Sequence, residues 1–182
     1  MSQDSPDLEH EIAAAAARAA IPTLMNGALE GDLEAVHRAL VLGADVNVQD
    51  PDGRTALMLA AFNGHSDVCA HLVAKGATVD HRDKMGRTPL MFAATGTCPE
   101  TLELLIQRGA GVNLVDSGEG WTPLMFAGAE GHLPVVEALL QHGADRDTKD
   151  ADGDTALDFA IKNHHQEAIA LLTRAADPEA TT

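Results

Sequence analysis

Apolar residues recur along this chain at helical spacing, in short paired runs separated by polar turns rich in Asp and Gly. In PDGRTALMLAAFNGH at 51–65 the first run extends from Ala56 to Phe62. The same layout returns as KMGRTPLMFAATGTC at 84–98, GEGWTPLMFAGAEGH at 118–132 and ADGDTALDFAIKNHH at 151–165. A second amphipathic run follows, Val68 to Val73 in the first full copy and Val135 to Leu140 in the third. The turn glycines Gly53, Gly86, Gly120 and Gly153 are 33, 34 and 33 residues apart, and Gly43, Gly76, Gly109 and Gly143 are 33, 33 and 34 apart. A period in this range predicts a solenoid of two-helix units.

Local chemistry sets the helix ends. First helices are expected to start near Thr55, Thr88, Thr122 and Thr155, where a hydroxyl can accept from orphan amides and a following Pro suits the first helical position. Small residues such as Ala60, Ala61, Ala93 and Ala94 let a neighbouring helix approach closely. Second helices are expected to stop at Gly76, Gly109 and Gly143, where glycine adopts positive φ at little cost.

Thr-Pro-Leu at 88–90 and 122–124, Ala-Ala at 60–61 and 93–94, Gly-His at 64–65 and 131–132, and Gly-Ala-Asp at 43–45 and 143–145 resemble the ankyrin repeat over about residues 22–176. The resemblance implies an all-α solenoid of L-shaped units. Their turns would project as a row of β-hairpin fingers, and fingers and first helices together would form a concave face. The organisation read on this basis is a capping helix at 1–21, a degenerate first repeat at 22–49, repeats at 50–82, 83–115 and 116–149, a C-terminal capping repeat at 150–176 and a tail at 177–182.

The ends depart from the pattern as an array that must terminate requires. Residues 22–49 lack a preceding Asp-Gly finger, and Ala176 replaces the glycine that elsewhere leads into another unit. Ser5-Pro6-Asp7 reads as the start of an Ala-rich helix running toward Ala20, which Pro22 breaks or restarts. Leu8, Ile12, Ala15 and Ala19 would pack on the first repeat; a partner-binding arm is the alternative.

Twelve basic against 28 acidic residues give a formal charge of −16, which opposes nucleic acid and anionic membrane, since both require phosphate neutralisation. The alanines at 13–17 follow acids rather than cations, unlike a secretory signal, and no stretch reads as long and apolar enough to span a membrane. Cys69 and Cys98 occupy different repeat positions, so a disulfide is not expected and the cytoplasm is the expected compartment.

No catalytic, metal or cofactor signature emerges. DADGDT at 150–155 alternates carboxylates like a calcium loop, but Thr155 and Ile161 stand where the loop needs Gly and Glu. His65, His132 and His165 share a repeat position that the family uses structurally. Glu34 and His37 make a single Glu-x-x-His pair where a di-iron site needs two.

Function is therefore expected on the concave strip, in binding an unidentified protein or peptide, with the chain a monomer. Arg54, Arg87, Trp121 and Asp154 form one ladder there, and Met25, Met58, Met91, Met125 and Asp158 another; Phe62, Arg82, Lys84 and Met85 lie around them. Trp121, with Arg87 and Met91, is the expected anchor, because Trp and Arg are enriched at binding hot spots. The alternatives are that Trp121 packs across the adjacent finger and that the methionines fill gaps between first helices.

Two irregularities are also expected. Thr97 replaces a helix-ending glycine, so Gly96 would take over the stop one residue early and the 95–99 loop would differ from its counterparts. One residue inserted in DSGEG at 116–120 would push the third finger outward. A dedicated subunit or inhibitor of one obligate partner, or a small-molecule-binding or hydrolytic enzyme, are the rival functional readings.

Overall fold

The computed structural model describes residues 6–174; Ser5, Ala176 and the 177–182 tail lie outside the described residues, as does the Leu8 side chain. Ten helices occur among the described residues: α1 (Pro6–Glu30), α2 (Leu33–Val41), α3 (Ala56–Phe62), α4 (Ser66–Ala74), α5 (Pro89–Ala94), α6 (Pro99–Gln107), α7 (Pro123–Glu130), α8 (Leu133–Gln141), α9 (Ala156–Lys162) and α10 (Gln166–Thr173). Within each unit the first helix packs on the second. Between units α1, α3, α5, α7 and α9 stack as one layer and α2, α4, α6, α8 and α10 as the other. Leu24, Leu57, Leu90 and Leu124, one in each of the first four units, are fully buried between the layers, and Leu157 in the last is partly buried, so each unit completes its core with its neighbour's side chains. This is the all-α repeat solenoid that the periodicity implies.

The fingers are tight turns closed by one backbone pair. Asp50, Asp83, Asp116 and Asp150 donate their amides to the carbonyls of Arg54, Arg87, Trp121 and Asp154. Fingers are tied to each other by Lys84 N–H to Asp52 O, Ser117 N–H to Met85 O and Ala151 N–H to Glu119 O. The residue inserted in the third finger is absorbed at the tip, and the rungs on both sides keep their register.

Pro22 does not break α1. The helix runs straight through it, with Pro22 exposed and the Arg18 carbonyl left without its helical donor. Continuity fixes the phase of the N-terminal half: Leu24 and Ala28 are buried by the first unit, and counting back four residues brings Ala20 inward with them. Ile12 is 61% exposed and Ala15 and Ala19 are exposed as well, so the face expected to pack is turned away from the array. The expectation that no stretch is long and apolar enough to cross a membrane is also corrected. His10–Glu30 reaches that threshold, with a mean hydropathy of 1.2, because alanines carry it past its charges. Its buried residues pack on α2 and α3.

The loop after α5 departs from its counterparts. Glycines at 31, 64 and 131, and His164, adopt positive φ at the equivalent turn, whereas neither Gly96 nor Thr97 does. The helix ends at Ala94 with the Thr95 hydroxyl donating to Phe92 O at 2.7 Å. Gly96 is there for closeness rather than for φ: a Cβ on it would lie 2.9 Å from Phe62 O. Cys98 occupies the position of His65, His132 and His165 in this copy.

That substitution changes how the first helices are joined. In the outer junctions an Asn and a His converge on one carbonyl of the preceding unit. Asn63 Nδ2 and His65 Nε2 meet Leu29 O at 3.0 and 3.1 Å, and Asn163 and His165 meet Ala129 O at 2.7 and 2.9 Å. In the two middle junctions Gly96 and Cys98, then Glu130 and His132, stand at these positions. Among the described residues neither Phe62 O nor Thr95 O receives such a bond, and His132 Nδ1 is buried without a partner.

Candidate functional site

The expected methionine ladder is scaffold, not surface. Met58, Met91 and Met125 are 0–1% exposed, with their sulfurs 3.5, 3.3 and 3.3 Å from the amides of Thr55, Thr88 and Thr122. Each sulfur takes the place of the Glu or Gln that ordinarily reaches back from the third helical position to cap the start. Asp158 does this in the last unit, accepting from the Thr155 amide at 2.8 Å and its hydroxyl at 2.7 Å. These bonds hold its carboxyl below the ordinary value. Met58 and Met125 are thus buried away from any partner, Met91 reaches only the floor of a surface depression, and Asp158 spends its Oδ2 on the helix start. The hydroxyl half of the box is present in each of these units but uneven, since Thr122 accepts from Met125 N–H at 3.3 Å while the buried hydroxyls of Thr55 and Thr88 face the corresponding amides without a close bond.

The finger ladder stays at the surface, partly engaged by the fingers themselves. Asp50 Oδ1 accepts from the amides of Asp52 and Arg54, and its Oδ2 from Arg54 Nε at 2.7 Å. Burial pushes this carboxyl up, but the amides and guanidinium of Arg54 and the amide of Asp52 outweigh it and hold it below the ordinary value. Asp83 repeats the pattern with the amides of Met85 and Arg87 and with Arg87 Nε at 2.8 Å. Asp154 is ion-paired to Lys162.

Trp121 packs across the repeat boundary, with its ring centroid 5.0 Å from that of Phe126 and 4.3 Å from that of Phe159. The indole thus packs on first-helix rings rather than across the adjacent finger, and, half-buried, it still reaches the surface. The Arg87 guanidinium lies 4.7 Å from the Phe92 ring centroid, and Lys162 Nζ 5.4 Å from that of Phe159. Phe62, half exposed at 50%, completes the row.

All four phenylalanines and the one tryptophan of the chain thus sit on first helices or at a finger base, on one strip. Phe92, Phe126 and Phe159 escaped the sequence reading although they share a repeat position. Leu59 interrupts that ladder in the first full copy, and an aromatic residue four after the cap reads as core. A cavity of about 70 Å³ opens among Phe62, Arg87, Met91, Phe92, Thr95 and Phe126, between α3, α5 and α7. A larger hollow of about 340 Å³, lined by Arg146, Leu157, Leu172 and Arg174 among others, shares no lining residue with the aromatic strip.

The strip offers rings, pinned guanidiniums and an apolar depression, which suit side-chain docking. The shifted titrations here, lowered at Asp50 and Asp158 and raised at Lys162, arise from finger, capping and Asp154 bonds and serve the scaffold. Cys69 is fully buried, its thiol pushed up to about 12 by burial, and it packs as a small apolar residue. A family model described as ankyrin repeats in 3 copies matches residues 24–116 and 96–182. Comparison with curated proteins yields no match.

Proposed function

The chain belongs to the ankyrin-repeat family, whose members generally act as protein–protein interaction modules, and from that premise we propose that it is a non-catalytic module holding a protein or peptide segment on its concave strip. One observation carries the reading. In a chain of 3% aromatic residues, every Phe and the Trp lie on that strip, and the most exposed of them, Phe62, stands beside an apolar cavity. Large rings beside a small depression are the usual anchoring chemistry of protein interfaces. The module acts as a monomer in the cytoplasm; two cysteines without a disulfide support that location.

Affinity capture from a lysate with the wild type and with Phe62→Ser tests the proposal, because Phe62 is exposed enough to be replaced without loss of fold. A protein retained by the wild type and lost by the variant, at equal thermal midpoints, supports it. Equal retention by both sinks it.

A further inference from the structure

The finger beside the cavity differs in charge from the others. Residues 82–87 carry Arg82, Lys84 and Arg87 against Asp83. The turns at 49–54, 116–121 and 149–154 each hold more carboxylates than cations, as does the chain as a whole at −16. Arg54 and Lys162 are engaged by carboxylates of their own unit, and Arg87 by Asp83. Arg82 and Lys84 have no ion-pair partner among the described residues, and both are exposed.

Arg82 is held in place as well as unpaired. Its Nη1 donates to Gly86 O at 2.9 Å and Val115 O at 2.8 Å, which bridges the finger to the next unit and leaves Nη2 and Nε without a partner among the described residues. A planar guanidinium fixed through one nitrogen presents the others in the geometry a carboxylate accepts. Arg87 links this finger to the depression, since it closes the finger through Asp83 and lines the cavity over Phe92.

We infer that the segment bound on the concave strip is an acidic peptide with one branched aliphatic side chain, which enters the cavity while neighbouring carboxylates meet Arg82 and Lys84. This rests on the concave-strip reading above. The cavity, about 70 Å³, is shallow and lined by rings and the Met91 side chain, which suits a branched aliphatic tip. Arg82 and Lys84, unpaired in a field that is otherwise negative, set the sign of what flanks it and favour an acidic over a basic segment.

Panning a random displayed peptide library against the full chain tests this. The inference expects enriched peptides with Asp or Glu within a few residues of Leu, Ile or Val. Their affinity should fall about tenfold for Arg82→Glu/Lys84→Glu and weaken steeply with salt. Lys84→Glu alone serves where the double variant loses stability with the Arg82 carbonyl bonds. Peptides that lack acids yet lose binding on Phe62→Ser overturn the acidic inference and leave the strip reading standing. Peptides indifferent to both sets of variants overturn both. Failure of any peptide to enrich over the charge-reversed variant, or displacement of the peptides by single-stranded oligonucleotide at low concentration, overturns the inference.

Discussion

Trp121 and Phe159 hold adjacent units together, the indole lying 4.3 Å from a ring of the following unit at an interplanar angle of 50°. Trp121→Ala is therefore expected to destabilise the fold by about 2 kcal/mol, through lost area and lost ring pairing. Thermal unfolding followed by circular dichroism checks this, with a fall of roughly 2–4 °C per kcal/mol. An unchanged midpoint would mean that the indole contributes nothing to the junction.

The two kinds of capping threonine predict unequal outcomes for one substitution. Thr88→Val removes a buried hydroxyl that faces the Met91 amide without a close bond and is expected to cost little. Thr122→Val removes an acceptor from the Met125 amide and should cost about 1 kcal/mol. Paired denaturant titrations at equal m-value measure the difference, and equal costs would refute the asymmetry.

Cys98→His should restore in the middle of the array the bond that the outer junctions have. Gly64, at φ +73°, presents the same Cβ-free position that Gly31 and Gly131 present to the rings of His65 and His165. An imidazole at 98 would reach Phe62 O with Nε2 as donor. A gain of about 1 kcal/mol is expected, read as a raised denaturation midpoint.

Acid should weaken the fold partly through Asp158 and Asp50. Both carboxyls sit below their ordinary 3.8 in the folded chain, so their stabilisation is fully present above that value and is lost as pH falls through the lower folded pKa. The thermal midpoint of the wild type should decline at acid pH, and Asp158→Asn should flatten part of that decline. An unaltered slope would show that its bonds to Thr155 contribute no pH dependence.

The repeat register, the two-helix unit and the solenoid were legible from the glycine and threonine spacing alone, because turns and caps are local chemistry. The surface ladder was less so. A residue three past the cap can face a partner or reach back to the cap, and periodicity does not distinguish the two; Met58, Met91, Met125 and Asp158 took the second course. The phase of α1 was missed because Pro22 was given the force of a terminator, when an exposed proline in a helix held by tertiary packing loses one bond and continues. The aromatic strip needed Phe92, Phe126 and Phe159 to be placed beside Phe62 and Trp121, which depends on how units stack across about 33 residues.

The uneven distribution of the Asn and His bonds along the first helices also determines where this solenoid is elastic. In a stack of nearest-neighbour contacts, bending concentrates where the coupling is weakest. Among the first-helix joints, α5–α7 both lacks these bonds and has the sparsest packing, so stiffness is expected to be lowest there, beside the cavity. A change of curvature at that joint would shift the rings of Phe92 and Phe126, which flank the cavity, without breaking a side-chain bond to Thr95 O.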